Sequence, residues 1–92
     1  MKLRFYVNPD SGELEISKHG VTEEEVHEIF DAPDEDVRGR SGTRTVIGRT
    51  ASGRWLMVVY TRQTNPDSCF VISAYAPTPN AIKALRARLR KK

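Results

Sequence analysis

The 92-residue sequence lacks paired cysteines and long apolar runs, and each absence excludes a class of protein. Its one cysteine, Cys69, cannot form an internal disulfide, so we expect a protein of a reducing compartment, the cytoplasm. No segment approaches the ~18 consecutive apolar residues that a bilayer crossing needs. The amino-terminal segment alternates polar and apolar side chains and has no apolar block of the kind found in secretory signals. We therefore expect neither export nor a membrane partner.

Metal ligands and phosphate-binding motifs are also scarce. Two histidines and the single cysteine lie at scattered positions that match no zinc-binding spacing. Gly39 and Gly42 are far from forming a phosphate-loop motif, and no serine or cysteine has the sequence context of a nucleophile. The sequence predicts no metal site and no cofactor.

The chain is rich in charge, and the charge is unevenly distributed. Residues 1–36 carry three Lys or Arg against eleven Asp or Glu, a net of −8. Residues 37–92 carry twelve Lys or Arg, nine of them arginine, against Asp67 alone, a net of +11. Because the planar guanidinium suits phosphate, the second segment indicates a nucleic-acid partner. The alternative is that the acidic segment simply neutralises the basic one within a single fold.

Length and composition indicate one folded domain over residues 1–92. With 38% hydrophobic and 29% charged residues, the chain has enough apolar surface to fold. A chain of this length builds a single core.

The first third predicts a β-hairpin and then a capped helix. Apolar residues alternate over 3–7, a turn signal follows at 8–12, and the alternation resumes at Leu14 and Ile16; a short helix after Pro9 is the alternative. The segment Thr22-Glu23-Glu24-Glu25 is a capping box, and Pro33 ends the predicted helix near residue 31.

The rest of the chain predicts three strands and a second helix. A basic loop or frayed strand edge at 38–42 precedes strands at 44–50, 55–60 and 69–76, with turns at 51–53 and 63–68. The nearly continuous apolar runs of the last two strands indicate that helices cover both faces of the sheet. Thr78 and Pro79 then suit the N-cap and first position of the last helix.

Several short motifs in this order resemble BrnT-type toxins, small ribonucleases of the RelE-like class found in toxin–antitoxin pairs. The resemblance covers residues 18–79 and rests on Lys18-His19-Gly20-Val21, on the helix ending Ile29-Phe30-Asp31-Ala32-Pro33, on Arg44, Ile47-Gly48 and Gly53-Arg54, and on Val58-Val59-Tyr60-Thr61 and Val71-Ile72-Ser73-Ala74. It implies an α+β fold with a small antiparallel sheet of about four to five strands packed with two main helices. It also implies metal-independent RNA cleavage and neutralisation by a cognate antitoxin.

The chain departs from the family pattern at three places. Residues 7–11 lack the aromatic and the lysine of the family's opening segment, Tyr75 stands where many members have arginine, and the last helix lacks an acid and a tyrosine. These positions include residues plausible for catalysis, so an active site rebuilt or lost is a second reading of the same resemblance.

RNA cleavage without metal needs a proton acceptor, a proton donor and cations for the charged transition state. Arg44 and Arg54 match family positions and are predicted to hold the scissile phosphate. His19 is a candidate acid or base, although a histidine before a helix often only holds the turn. Tyr75 is a candidate phenol, although Tyr60 and Tyr75 both lie in apolar runs that favour burial, as does Trp55.

Five further cations are predicted to contact the RNA backbone: Lys18, Arg38, Arg40, Arg49 and Arg62. The leading hypothesis is therefore an endoribonuclease toxin, with RNA and an antitoxin as partners. Its alternative is an inactive RNA-binding or protein-interaction module on the same fold. Both require the arginines of the later strands to line one solvent-facing surface.

Overall fold

The computed structural model describes residues 2–64 and 67–90, which form a five-stranded sheet with a helix on each face. The elements are β1 (Lys2–Phe5), a 3-10 helix (Glu15–His19), α1 (Glu23–Asp31), β2 (Pro33–Arg38), β3 (Arg44–Arg49), β4 (Trp55–Thr64), β5 (Asp67–Tyr75) and α2 (Pro79–Arg90). The predicted α+β class, strand number and two main helices are confirmed. None of the described helices is long and apolar enough to cross a membrane.

The sheet is mixed, with strand order β1-β5-β4-β3-β2. Neighbours among β2 to β5 run antiparallel, but β1 runs parallel to β5. The expectation of an antiparallel sheet is therefore wrong at this edge. The elements between β1 and β5 return the chain to the same end of the sheet, so the two strands run in one direction.

The predicted hairpin at the amino terminus is reduced to a single bridge between Val7 and Leu14. Beyond the bridge, residues 15–19 form the 3-10 helix instead of a strand. β1 pairs with β5, and Leu3 and Phe5 pack against the main core. The long apolar β5 offers β1 more buried surface than a local partner would, so tertiary pairing replaces the hairpin.

The predicted capping box starts α1. The Thr22 hydroxyl accepts a hydrogen bond from the Glu25 amide at 3.1 Å, and the Glu25 carboxylate accepts one from the Thr22 amide at 3.1 Å. Two orphan amides of the first turn are thus satisfied. The helix ends at Asp31 as predicted, and Pro33 opens β2.

The segment at 38–42, predicted as a basic loop or frayed strand edge, divides between the two. Arg38 ends the edge strand β2, and residues 39–43 form the turn into β3. β3, β4 and β5 confirm the predicted strands within a few residues. Two residues of the turn predicted at 63–68, at positions 65 and 66, lie outside the described residues.

The two faces of the sheet bury cores of unequal size. The larger core lies under α1 and the 3-10 helix and includes Val26, Ile29, Leu56, Val58 and Val71, each fully buried. The smaller core lies under α2. Its buried members are Ile47, Trp55 and Leu85. The Thr78 hydroxyl caps α2 by accepting a hydrogen bond from the Ala81 amide at 3.2 Å, as predicted.

Candidate nucleic-acid interface

Strand register places four of the predicted arginines at the end of the sheet formed by the β2–β3 turn. Arg38 lies opposite Arg44, and Arg44 lies opposite Tyr60 on β4. Arg62 follows Tyr60 by two residues and therefore points to the same side. Arg40 lies in the connecting turn. We call Arg38, Arg40, Arg44 and Arg62 the arginine face; its strand residues lie on the side of the sheet that carries α1.

Asp36 connects Tyr60 to Arg44 within the arginine face. The Tyr60 hydroxyl donates a 2.6 Å hydrogen bond to one Asp36 carboxylate oxygen, and Arg44 Nε donates one of 3.0 Å to the other. Burial of the ring, followed by the bond to Asp36, raises the pKa of Tyr60 to about 12. The same carboxylate, together with Tyr60, raises the pKa of Arg44 above its usual value. Tyr60 therefore stays protonated and Arg44 stays charged at neutral pH.

The four cations of the arginine face differ in how strongly they are neutralised. Arg44 pairs with Asp36, and Arg62 lies 3.6 Å from Asp67 in a pair with both side chains largely exposed. For Arg38 and Arg40, no carboxylate of the described residues lies within 4.0 Å. The face thus keeps a positive balance, and the two arginines without a described carboxylate partner lie at the end of β2 and within the turn.

A second group of predicted residues meets at the opposite end of the sheet. The rings of His19 and Tyr75 have centroids 6.1 Å apart. The Arg54 guanidinium donates to the carbonyl of Gly20 at 3.0 Å and to that of His19 at 3.4 Å, and it lies 3.3 Å from the Glu25 carboxylate. These contacts join the loop that carries His19 to the first turn of α1.

Lys18 lies beside this second group, 3.6 Å from Glu15 and about half exposed. We call Lys18, His19, Arg54 and Tyr75 the histidine corner. Three of the four predicted catalytic residues therefore lie together, with His19 exposed and Tyr75 half-buried. Arg54 holds the loop in place, so its guanidinium is already engaged by protein oxygens.

Arg44 is the predicted catalytic residue that does not join the others. It lies opposite Tyr60 on β4. Tyr60 follows Arg54 by six residues, which corresponds to about 20 Å along a strand. The two arginines therefore cannot contact one phosphate. Arg49 lies on the other side of the sheet, over the Trp55 ring at 5.0 Å. The expectation that the arginines of the later strands line one surface is therefore wrong for the set as a whole, and an RNA site can rest only on those that share a face.

The uneven charge of the sequence is resolved partly by ion pairs within the fold. Glu25 pairs with Arg54, Glu35 with Arg88 and Asp36 with Arg44, so three pairs join the acidic first segment to the basic remainder. The bond from Arg88 to Glu35 also raises the pKa of that guanidinium. Ion pairs within the fold therefore neutralise part of the basic segment. Among the described residues, none of these pairs includes Arg38 or Arg40 at the β2–β3 turn.

Two features of the charged surface were not predicted. Asp36 was given no role from the sequence, and only its position opposite Val46 in β2 brings it to Tyr60. Lys83, Arg86 and Arg90 of α2 were also given no role, whereas they border a groove beside Arg49. The available signal was that α2 contains no acidic residue at all.

The described residues contain no group of three His, Cys, Asp or Glu side chains that could hold a metal ion. No family model, curated protein or solved structure matches the chain. The resemblance to BrnT-type toxins therefore stays a hypothesis from the sequence.

Proposed function

We propose that this chain is an RNA-binding protein and that the arginine face contacts the phosphate backbone. The proposal rests on one observation, the convergence of Arg38, Arg40, Arg44 and Arg62 at one end of the sheet. Guanidinium groups form bidentate hydrogen bonds with phosphate, and several of them side by side neutralise successive phosphates. Tyr60 is 4% exposed and bonded to Asp36. Its role is therefore to fix the carboxylate that binds Arg44 rather than to stack a base.

Fluorescence anisotropy of a labelled single-stranded RNA tests this proposal. Each phosphate contact adds roughly 0.7 to the slope of log affinity against log salt for a single strand. We therefore expect R38Q/R40Q to weaken binding at low salt and to lower the slope by about 1.4. These two residues are chosen because neither holds a carboxylate in place.

Arg4 provides the matched control for the arginine face. It is exposed at the other edge of the sheet, and among the described residues its side chain bonds only to Gln63, at 3.4 Å. R4Q should therefore leave affinity and salt slope close to those of the unmodified protein. If R38Q/R40Q binds RNA as the unmodified protein does, the arginine face is not the RNA site.

The histidine corner favours a second candidate function, metal-independent RNA cleavage of the BrnT type. The observation that favours it is the contact of the exposed His19 with Tyr75, where Lys18 precedes His19 in the 3-10 helix. In such a reaction, neutral His19 would take the proton of the ribose 2′ hydroxyl while the 2′ oxygen forms a bond to phosphorus. The bond from phosphorus to the 5′ oxygen would break, and Tyr75 would protonate that oxygen. Lys18 would stabilise the charged phosphorane, and Arg54 would position His19.

Product analysis separates cleavage from binding. Cleavage predicts RNA fragments that end in a 2′,3′-cyclic phosphate, formed in the presence of a chelator. H19Q and Y75F should abolish these fragments while leaving the affinity for RNA unchanged, since both are remote from the arginine face. Intact RNA after incubation with the purified protein would refute cleavage and leave binding as the function.

The toxin reading adds a partner and a compartment to the cleavage proposal. A cognate antitoxin would be a protein that neutralises the chain, and the cytoplasm would be its compartment, in keeping with a sequence whose single cysteine cannot form an internal disulfide. Growth arrest on expression, relieved by H19Q, is the expected result. Normal growth with active protein in the cell would exclude this reading.

A further inference from the structure

A groove runs between α2 and the face of the sheet opposite the arginine face. Its volume is about 610 Å³, which is within the range of sites that bind small molecules or a nucleotide. Its rim carries Arg49 from β3 and Lys83, Arg86 and Arg90 from α2. Trp55, Ile82 and Leu89 line its floor, so four cations surround an apolar and aromatic centre.

No carboxylate of the described residues neutralises the rim cations. Within residues 2–64 and 67–90, none of the four lies within 4.0 Å of a carboxylate oxygen, and no acid lines the groove. This distinguishes them from Arg44, Arg54 and Arg88, each of which is paired. A cluster of like charges repels itself, so a polyanion bound there gains affinity from relieving that repulsion.

The floor of the groove adds a stacking surface to the charge. The Arg49 guanidinium lies 5.0 Å from the centre of the Trp55 ring, in a cation–π contact. Nucleic-acid bases stack on aromatic rings and on guanidinium planes. Trp55 is 7% exposed and lies under Arg49, so a base would stack on the outer face of the guanidinium, with its phosphates near the cations of α2.

We propose that this groove binds a single-stranded nucleic acid, with a base on the Arg49 guanidinium that covers Trp55 and the flanking phosphates on Arg86 and Arg90. The site is distinct from the arginine face and does not depend on it, because Arg49 and Arg44 lie on opposite sides of β3. A duplex keeps its bases paired, so only a single strand offers a free base.

An anionic membrane is the competing partner for a basic amphipathic helix, and the packing of α2 disfavours it. Membrane-surface helices insert their apolar stripe between lipids. In α2 that stripe is occupied: Leu85 is 3% exposed, and Ile82 and Leu89 pack against the core formed with Ile47 and Trp55. The helix would have to leave the sheet before it could enter a bilayer.

Trp55 is the only tryptophan of the chain, so its fluorescence reports on the groove directly. The experiment titrates a single-stranded oligouridine into the full chain and follows this emission. We expect a saturable change for the unmodified protein and about tenfold weaker binding for R86Q/R90Q. Both residues are exposed, and glutamine is a good helix former, so the variant should fold.

R38Q/R40Q is the matched control, since it removes two positive charges from the arginine face. It should leave the Trp55 titration unchanged even though it weakens total RNA binding, so the two sites can fail separately. The groove proposal is overturned if oligouridine binds without changing Trp55 emission, or if both variants weaken the titration equally. It is also overturned if phosphatidylserine vesicles, but not oligouridine, change the emission.

Discussion

Replacing Tyr60 with phenylalanine removes one hydroxyl and tests whether Asp36 organises the arginine face. The hydroxyl donates a 2.6 Å hydrogen bond to a carboxylate, and bonds to charged groups contribute roughly 1.5–3 kcal/mol. The Asp36 side chain is 38% exposed, so water replaces part of this bond in the variant. We therefore expect Y60F to lower the free energy of unfolding by about 1–2 kcal/mol at neutral pH.

The loss should depend on pH in a defined direction. The folded-state pKa of Tyr60 is raised to about 12 from an ordinary value of 10.0. A raised pKa means that the hydroxyl stabilises the fold fully below pH 10 and loses this effect as pH rises through 12. The difference in unfolding free energy between the unmodified protein and Y60F should therefore be constant up to pH 10 and shrink above it.

Urea denaturation followed by circular dichroism measures this difference at neutral and at alkaline pH. Y6F is the control, since Tyr6 is exposed and its hydroxyl has no hydrogen-bond partner among the described residues. It should change the unfolding free energy little at any pH. A Y60F penalty that is absent at neutral pH, or that stays the same above pH 10, would refute Asp36 as the partner of Tyr60.

Three further predictions concern the other contacts described above. R54Q should destabilise the fold by about 1 kcal/mol in urea denaturation, because it frees the His19 loop from α1. It should leave the RNA affinity of the arginine face unchanged, and weaker RNA binding would contradict this prediction. T22A should lower the unfolding free energy by about 1 kcal/mol through loss of the α1 cap, whereas T22S should restore most of it. L56A, in the larger core, should lower the free energy of unfolding by about 3–5 kcal/mol. L85A should lower it less, because the smaller core under α2 relaxes more easily. The reverse order would be inconsistent with two unequal cores.

Local signals in the sequence were sufficient for the elements whose stability is local. The α1 cap depends on residues three positions apart, so Thr22 and Glu25 could be identified without any tertiary knowledge. The Thr78 cap of α2 is of the same kind. The amino-terminal hairpin failed for the opposite reason, because β1 gains more by pairing with β5, more than sixty residues away along the chain.

The placement of the arginines could not be read from the sequence because it depends on register. Arg44 and Arg49 are five positions apart on one strand, which sends them to opposite faces. Between Val59 and Tyr60 the pairing of β4 with β5 shifts by one residue, because β5 carries the extra residue Ile72 there. A shift of one residue changes which side chains lie opposite one another on two strands, and no local sequence pattern indicates it.

The free edge of β2 has a consequence for how copies of the chain meet. An open edge strand offers unpaired amides and carbonyls to any other strand, which is the usual route to fibrillar aggregation. Here the edge carries three successive acids, Asp34, Glu35 and Asp36, directly after a proline. Two copies aligned along this edge would bring like charges opposite one another, which disfavours the pairing. The carboxylates that pair with arginines thus also disfavour edge-to-edge association of the sheet into fibrils.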